Sequence, residues 1–198
     1  MDIRVVERRI KMNKKYLAAG LTLTVFAGLS LWPADNPRMA VSSTQVIDLP
    51  VEQSWEKMSN LAVSHHYVPD VIDTRMLTDQ TQGVGASRRV FKSEDQYVDE
   101  TVVEWNEGKG FVIKLHNETF FLPFKEGRFR YQITDVGSQQ TEFTGTMSFE
   151  PPMGLLGDWL FRNVMAAPIS KTVEQTVLGL RYYYETGQPV SDEVREAL

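Results

Sequence analysis

Few residues in this sequence have the types and spacing that chemistry requires. His65 and His66 are adjacent, Asp70 and Asp73 follow closely, and His116 stands alone further on. Imidazoles with carboxylates are a donor set for zinc. Side chains adjacent in sequence diverge, however, and no other residues have ligand spacing. The sequence therefore assigns no metal site and reads the pair as the solvated end of a helical turn. There is no cysteine, which removes thiolate nucleophiles, disulfides, the usual structural zinc sites and a lipid-bearing cysteine anchor. Gly83-Val84-Gly85-Ala86-Ser87 lacks the G-x-S-x-G order of a nucleophile elbow. Arg88 stands where a dinucleotide fingerprint would continue toward its third glycine, and no helix is expected after it. The segment reads as a tight turn into a strand. Asn117-Glu118-Thr119 matches a glycosylation acceptor, a match short enough to arise by chance.

Carboxylates with basic neighbours remain. Glu100 and Glu104 are placed on one face of a strand, with Arg88 on the strand beside it. A buried glutamate with a raised pKa serves as a general base on an enolisable ligand. The competing reading, a cross-strand ion pair on the wet face of a sheet, is favoured. Glu100, His116 and Tyr131 are left as weak catalytic candidates, and no cofactor is called for.

The elements that must position these residues follow from periodicity. Residues 41–48 read as a strand; Pro50 breaks it, and a helix over 51–62 puts Val51, Trp55, Met58 and Ala62 on one face. A helical turn or loop over 65–71 leads to six strands at 73–78, 85–92, 97–106, 111–116, 127–135 and 141–149. Phe111, Ile113 and Leu115 alternate with polar or solvent-facing positions, as do Phe129, Tyr131 and Ile133, and Phe143, Met147 and Phe149. This is the pattern of an antiparallel sheet with one face buried. A long helix comes last, its stripe running through Leu155, Trp159, Ala166, Ile169, Val173, Val177, Leu180 and Tyr184. Pro168 kinks it or begins its main part, and Gly187 ends it. The predicted class is α+β, a curved six- to seven-stranded antiparallel sheet wrapped around a long C-terminal helix.

The chain has 198 residues, 42% of them apolar, with 21 Lys and Arg against 26 Asp and Glu. Six of the basic residues fall within the first fifteen, so the remainder is more acidic than the net charge of −5. That balance disfavours nucleic acid as a partner. Residues 16–32 carry no charge and come directly after the basic residues 1–15. Seventeen residues are the lower limit for a membrane span, and the basic flank predicts that the chain beyond residue 32 is exported. The sequence thus predicts a single-pass anchor in the inner membrane with the folded part on the periplasmic side. The alternative is a signal segment cleaved to leave a periplasmic protein. Met12 is a second possible start. Residues 33–40 read as a Pro-rich linker, 41–187 as one folded domain and 188–198 as a polar tail.

Several phrases carry a resemblance. Val46-Ile47-Asp48-Leu49-Pro50-Val51-Glu52-Gln53-Ser54-Trp55 resembles the first strand, proline and Trp-bearing helix of the START-like, polyketide cyclase/dehydrase superfamily (the helix-grip fold). His66-Tyr67-Val68-Pro69-Asp70-Val71, Gly83-Val84-Gly85-Ala86-Ser87-Arg88 and the stretch from Pro151 to Leu160 are similar to its later passages. The resemblance spans roughly residues 41–186 and implies a hydrophobic cavity in a family that transfers lipids, binds quinones or polyketides, or catalyses cyclisation. The expected reading is non-catalytic binding or shuttling of a lipid, quinone or polyketide-like molecule between sheet and helix. Phe111, Ile113, Leu115, Phe129, Tyr131, Phe143, Met147, Trp159, Ile169 and Val173 are the expected lining. Phe120, Phe121 and Phe124 are the expected rim. A cyclase or dehydratase using Glu100, Tyr131 or His116, and a protein-interaction module, are the alternatives.

Overall fold

The computed structural model describes residues 39–120, 126–150 and 159–198. Strand β1 (Met39–Ile47) is followed by helix α1 (Val51–Met58) and a 3-10 helix (Leu61–His66). Then come β2 (Asp73–Met76), β3 (Ser87–Phe91), β4 (Tyr97–Asn106), β5 (Gly110–His116), β6 (Glu126–Gly137) and β7 (Gln140–Glu150). A π-helical turn (Phe161–Met165) leads into α2 (Ala166–Thr186), and α3 (Asp192–Ala197) lies within the polar tail. The expected anchor at 16–32 and the linker up to residue 38 lie outside the described residues. Among the described residues no helix is long and apolar enough to cross a membrane.

One antiparallel sheet holds all seven strands in the order β1-β7-β6-β5-β4-β3-β2. Alternation sets its two faces. Along β7 every second residue from Thr141 to Phe149 is buried, with half-buried residues between them. The inner face carries Phe129, Tyr131, Phe143 and Phe149; the outer face carries polar pairs such as Thr44 with Thr144, whose hydroxyls lie 2.9 Å apart.

The first helix is shorter than the sequence suggests. It ends at Met58, because the Asn60 side chain accepts from the Ala62 N–H at 3.1 Å and starts the 3-10 helix there. Ser54 Oγ donates to Thr141 Oγ1, which donates to the Leu49 carbonyl, so a buried hydroxyl relay ties α1 to β7.

Helix α2 runs along β1 in the same direction. Phe161 meets Phe149, the partner of Met39, with ring centroids 4.4 Å apart, while at the far end Glu185 accepts from the Asp48 N–H at 3.0 Å. Midway, Gly145 leaves no side chain between β7 and the helix: a Cβ there would fall 2.8 Å from Val177 and 2.9 Å from Phe129. Pro168 is the third residue of α2, where its missing N–H is tolerated, and the π turn lies immediately before. Gly187, at φ 72°, ends the helix as the sequence predicts.

Candidate functional site

The inner face is apolar except around Arg88. Strand β3 turns Ser87 and Arg89 outward, so Arg88 points in, directly opposite Glu100 on β4. Its Nε donates to Glu100 Oε2 at 2.6 Å, Nη1 to the Leu61 carbonyl at 2.7 Å, and Nη2 to the Tyr131 hydroxyl at 3.3 Å. Arg88 is 2% exposed. Tyr67, at the end of the 3-10 helix, brings its hydroxyl into hydrogen bonding with Tyr131 and Arg88. Tyr184 of α2 lies within electrostatic range of all three, and its hydroxyl is buried with no hydrogen-bond partner among the described residues. Five elements thus converge on one buried polar group.

Its protonation is set by burial and by the one internal pair. Burial opposes the charge on Arg88 more than any single neighbour favours it, but Glu100, Tyr131 and Tyr67 together outweigh burial and raise the guanidinium above its usual value. Burial pushes the hydroxyls of Tyr131 and Tyr184 well above the ordinary tyrosine value, with Tyr67 adding to both. Tyr67 is raised for the same first reason, partly offset by Arg88. These phenols therefore stay neutral at physiological pH, serving as O–H donors and poor bases. Neutral hydroxyls around a buried guanidinium are able to donate to an oxygen acceptor.

The sequence expectations divide around this group. Phe111, Ile113, Phe129, Tyr131, Phe143, Met147 and Val173 are buried on the inner side, and Leu115 and Ile169 are half-buried against them. The rings meet one another: Phe111 and Phe129 lie 4.6 and 4.7 Å from Tyr131. Trp159 is a correction. It is 59% exposed, on the turn where Phe161 is the residue that faces inward, against Phe149. Phe120 is half-buried with Lys92 over its ring at 5.5 Å; Phe121 and Phe124 lie outside the described residues.

The carboxylates need two corrections. A β-bulge between Val102 and Glu104 changes the register, so Glu100 faces inward and Glu104 outward, where Arg130 donates to it at 3.1 Å. The Arg88–Glu100 ion pair exists, but on the buried face and not the wet one. His116 faces outward, its Nε2 2.8 Å from Thr101 Oγ1. It is not brought to the other two histidines: His65 and His66 sit beside α2, with their rings 4.2 Å apart and His66 against Tyr183. Tyr67 and Tyr184 escaped site reasoning. Their signal was the placement of Tyr184 on the helix stripe and of Tyr67 just before the Pro69 turn.

A cleft of about 600 Å³ opens to solvent beside the β4–β5 turn, with Val51, Glu104, Trp105, Phe111, Arg130 and Tyr131 among its walls. Next to it Glu107 accepts from both Trp55 Nε1 at 2.9 Å and Trp105 Nε1 at 2.7 Å. The two indole bonds hold its carboxyl below the usual glutamate value. This open cleft of mixed character, walled in part by Phe111 and Tyr131, is not the enclosed apolar chamber that the sequence leads one to expect.

The fold recurs in solved structures. TTHA0849 from Thermus thermophilus is 16% identical with a TM-score of 0.57, over 74% of this chain and 97% of its own. The ZhuI aromatase/cyclase from Streptomyces sp. R1128 is 12% identical with a TM-score of 0.58, over 75% and 94%. Ara h 8.0201 is 11% identical with a TM-score of 0.53, over 75% and 98%. No curated protein matches the chain in sequence. The sequence profile of one family matches residues 38–185, from the start of β1 to the last turn of α2. The inward Arg88 group therefore sits in the fold of a hydrophobic ligand-binding or cyclase-type domain, and the chain belongs to the polyketide cyclase / dehydrase and lipid transport family.

Proposed function

We propose that this domain binds a hydrophobic small molecule bearing an oxygen acceptor, such as a quinone or polyketide-like ketone, and holds it without chemical change. The observation that carries the reading is the Tyr184 hydroxyl, buried with no hydrogen-bond partner among the described residues and within electrostatic range of Arg88 and Tyr131. An unmet buried hydroxyl costs roughly 1–3 kcal/mol, and an acceptor on a bound molecule would recover that. The aromatic side chains around it, Phe111, Phe129 and Phe143, suit a flat apolar body.

The test uses the purified full chain in detergent. Native mass spectrometry with solvent extraction looks for a co-purified molecule, and tryptophan quenching measures binding of a naphthoquinone and an anthraquinone. Saturable binding is expected, weakened about fivefold to tenfold in Tyr184→Phe, as fits the loss of one hydrogen bond of ~1 kcal/mol. No co-purified molecule and no saturable binding of either probe would sink the proposal.

A cyclase-type reading has one specific observation in its favour: Glu100 and Tyr131 both meet Arg88 inside the fold. Against it, Glu100 is tied to a guanidinium and Tyr131 is held protonated, so neither is poised as a base. Turnover of a bound probe, abolished in Glu100→Gln, would favour catalysis over binding alone.

A further inference from the structure

The lead into α2 exposes an apolar surface that the fold does not use. Trp159 is 59% exposed, Leu160 37% and Val164 53%, while Phe161 between them turns inward against Phe149. Ala167 and Pro168 continue the exposed side one turn on. From Trp159 to Ser170 the only charged residue is Arg162, and there is no acidic one. Large apolar side chains presented together on one short helical segment, with tryptophan among them, are what lipid interfaces accept and what monomer surfaces usually avoid.

Where the chain enters the domain says what lies nearby. Met39, the first residue of β1, pairs with Phe149, and Phe149 carries Phe161. The exposed turn and the point where the N-terminal residues join the domain are therefore at the same end of the sheet. Residues 33–38 span at most ~20 Å even fully extended. The uncharged stretch of residues 16–32 lies just before them. If that stretch occupies a bilayer, this end of the domain is held within that distance of the lipid surface. Both ends of the sheet carry acidic groups, Asp48 and Glu185 at the far end and Glu126 and Glu150 at this one, so the apolar turn and not charge distinguishes them.

We infer that the Trp159–Val164 turn is a membrane-docking surface, which sits on the bilayer that the sequence predicts residues 16–32 to enter. The domain then lies with the N-terminal end of α2 toward lipid and its far end toward water. The inference does not depend on the ligand proposed above; it rests on the exposure of the turn, on the chain geometry and on the sequence reading of residues 16–32 as an anchor.

The absence of cysteine makes the test direct. The full chain carrying Val164→Cys is labelled with an environment-sensitive fluorophore and reconstituted into phosphatidylcholine–phosphatidylglycerol vesicles. Thr186→Cys, at the far end of α2, is the reference. The expected result is co-flotation with vesicles, a blue-shifted emission at position 164, and severalfold stronger quenching there by brominated acyl chains than at 186. Equal, water-like signals at the two positions would overturn the inference, as would failure to co-float. A blue shift at 164 without quenching by brominated lipid would also overturn it, since protein would then cover the turn, either residues 16–32 or a second copy. Replacement of Trp159 by Glu should reduce quenching at 164 while leaving the thermal midpoint unchanged, because an exposed side chain contributes little to stability.

Discussion

Gly179 of α2 lies against the carbonyl oxygen of Tyr67: a Cβ on residue 179 would fall 2.5 Å from it. Bare backbone at this position lets the closing helix rest on the end of the 3-10 helix and delivers Tyr67 to Arg88. Two effects compete when alanine replaces this glycine. Helix propensity favours alanine by up to ~1 kcal/mol, and the overlap with fixed backbone costs more. Gly179→Ala should therefore destabilise the domain by about 1–3 kcal/mol, read as a lowered urea midpoint. A midpoint at or above that of the native chain would contradict the packing described.

The Arg88–Glu100 pair should behave as a buried charge pair and not as a surface bridge. Arg88→Met leaves a carboxylate facing an apolar interior, and the expected loss is about 3–5 kcal/mol. Adding Glu100→Gln removes the stranded charge, so the double variant should recover a large part of it. Urea titration of the single and double variants checks this. A single-variant loss below ~1 kcal/mol would mean that the pair is effectively solvated.

Acid should act in part through Asp99 on the outer face, along with Asp73 and Glu107, which are depressed as well. Burial alone would raise its pKa, but hydrogen bonds from Arg89 at 2.7 Å and from Asn117 at 2.7 Å win, and the carboxyl is held below the ordinary aspartate value. A group depressed in the folded state contributes stability that is full above its unfolded pKa of ~3.9 and fades as pH falls through the folded value. The native chain should lose stability steeply below pH ~4. Asp99→Asn should be less stable at neutral pH and show a shallower decline in that acid range. Parallel curves for the two proteins, from thermal midpoints over the same pH series, would show that Asp99 is not among the groups responsible.

The strands were legible where alternation was strict. Phe129, Tyr131 and Ile133, and Phe143, Met147 and Phe149, are buried as their spacing predicts, and β4 occupies the predicted residues 97–106. Errors arose where local geometry breaks a period. One unpaired residue at Val103 reverses the face of everything after it on β4, and no residue type there announces a bulge. Asn60 capped a new 3-10 helix inside what reads as a continuous helical stripe. Arg88 was legible as a partner for Glu100 but not as an interior residue, because its burial depends on Leu61, Tyr67, Tyr131 and Tyr184 arriving from other parts of the chain. Gly145 and Gly179 matter for what approaches them, which is tertiary information.

The strand order has a kinetic consequence. Every strand from β2 to β7 pairs with the one next to it in sequence, so those contacts close over short stretches of chain. β1 pairs only with β7, and α2 then lies along β1. The strand that leaves the ribosome first must wait for the last one before it finds its partner, and its docking closes the longest loop in the sheet. The slow step of folding should therefore be the docking of β1 onto a meander already formed. Until then the nascent domain exposes an unpaired β7 edge, the point at which a chaperone or a second chain would compete for it.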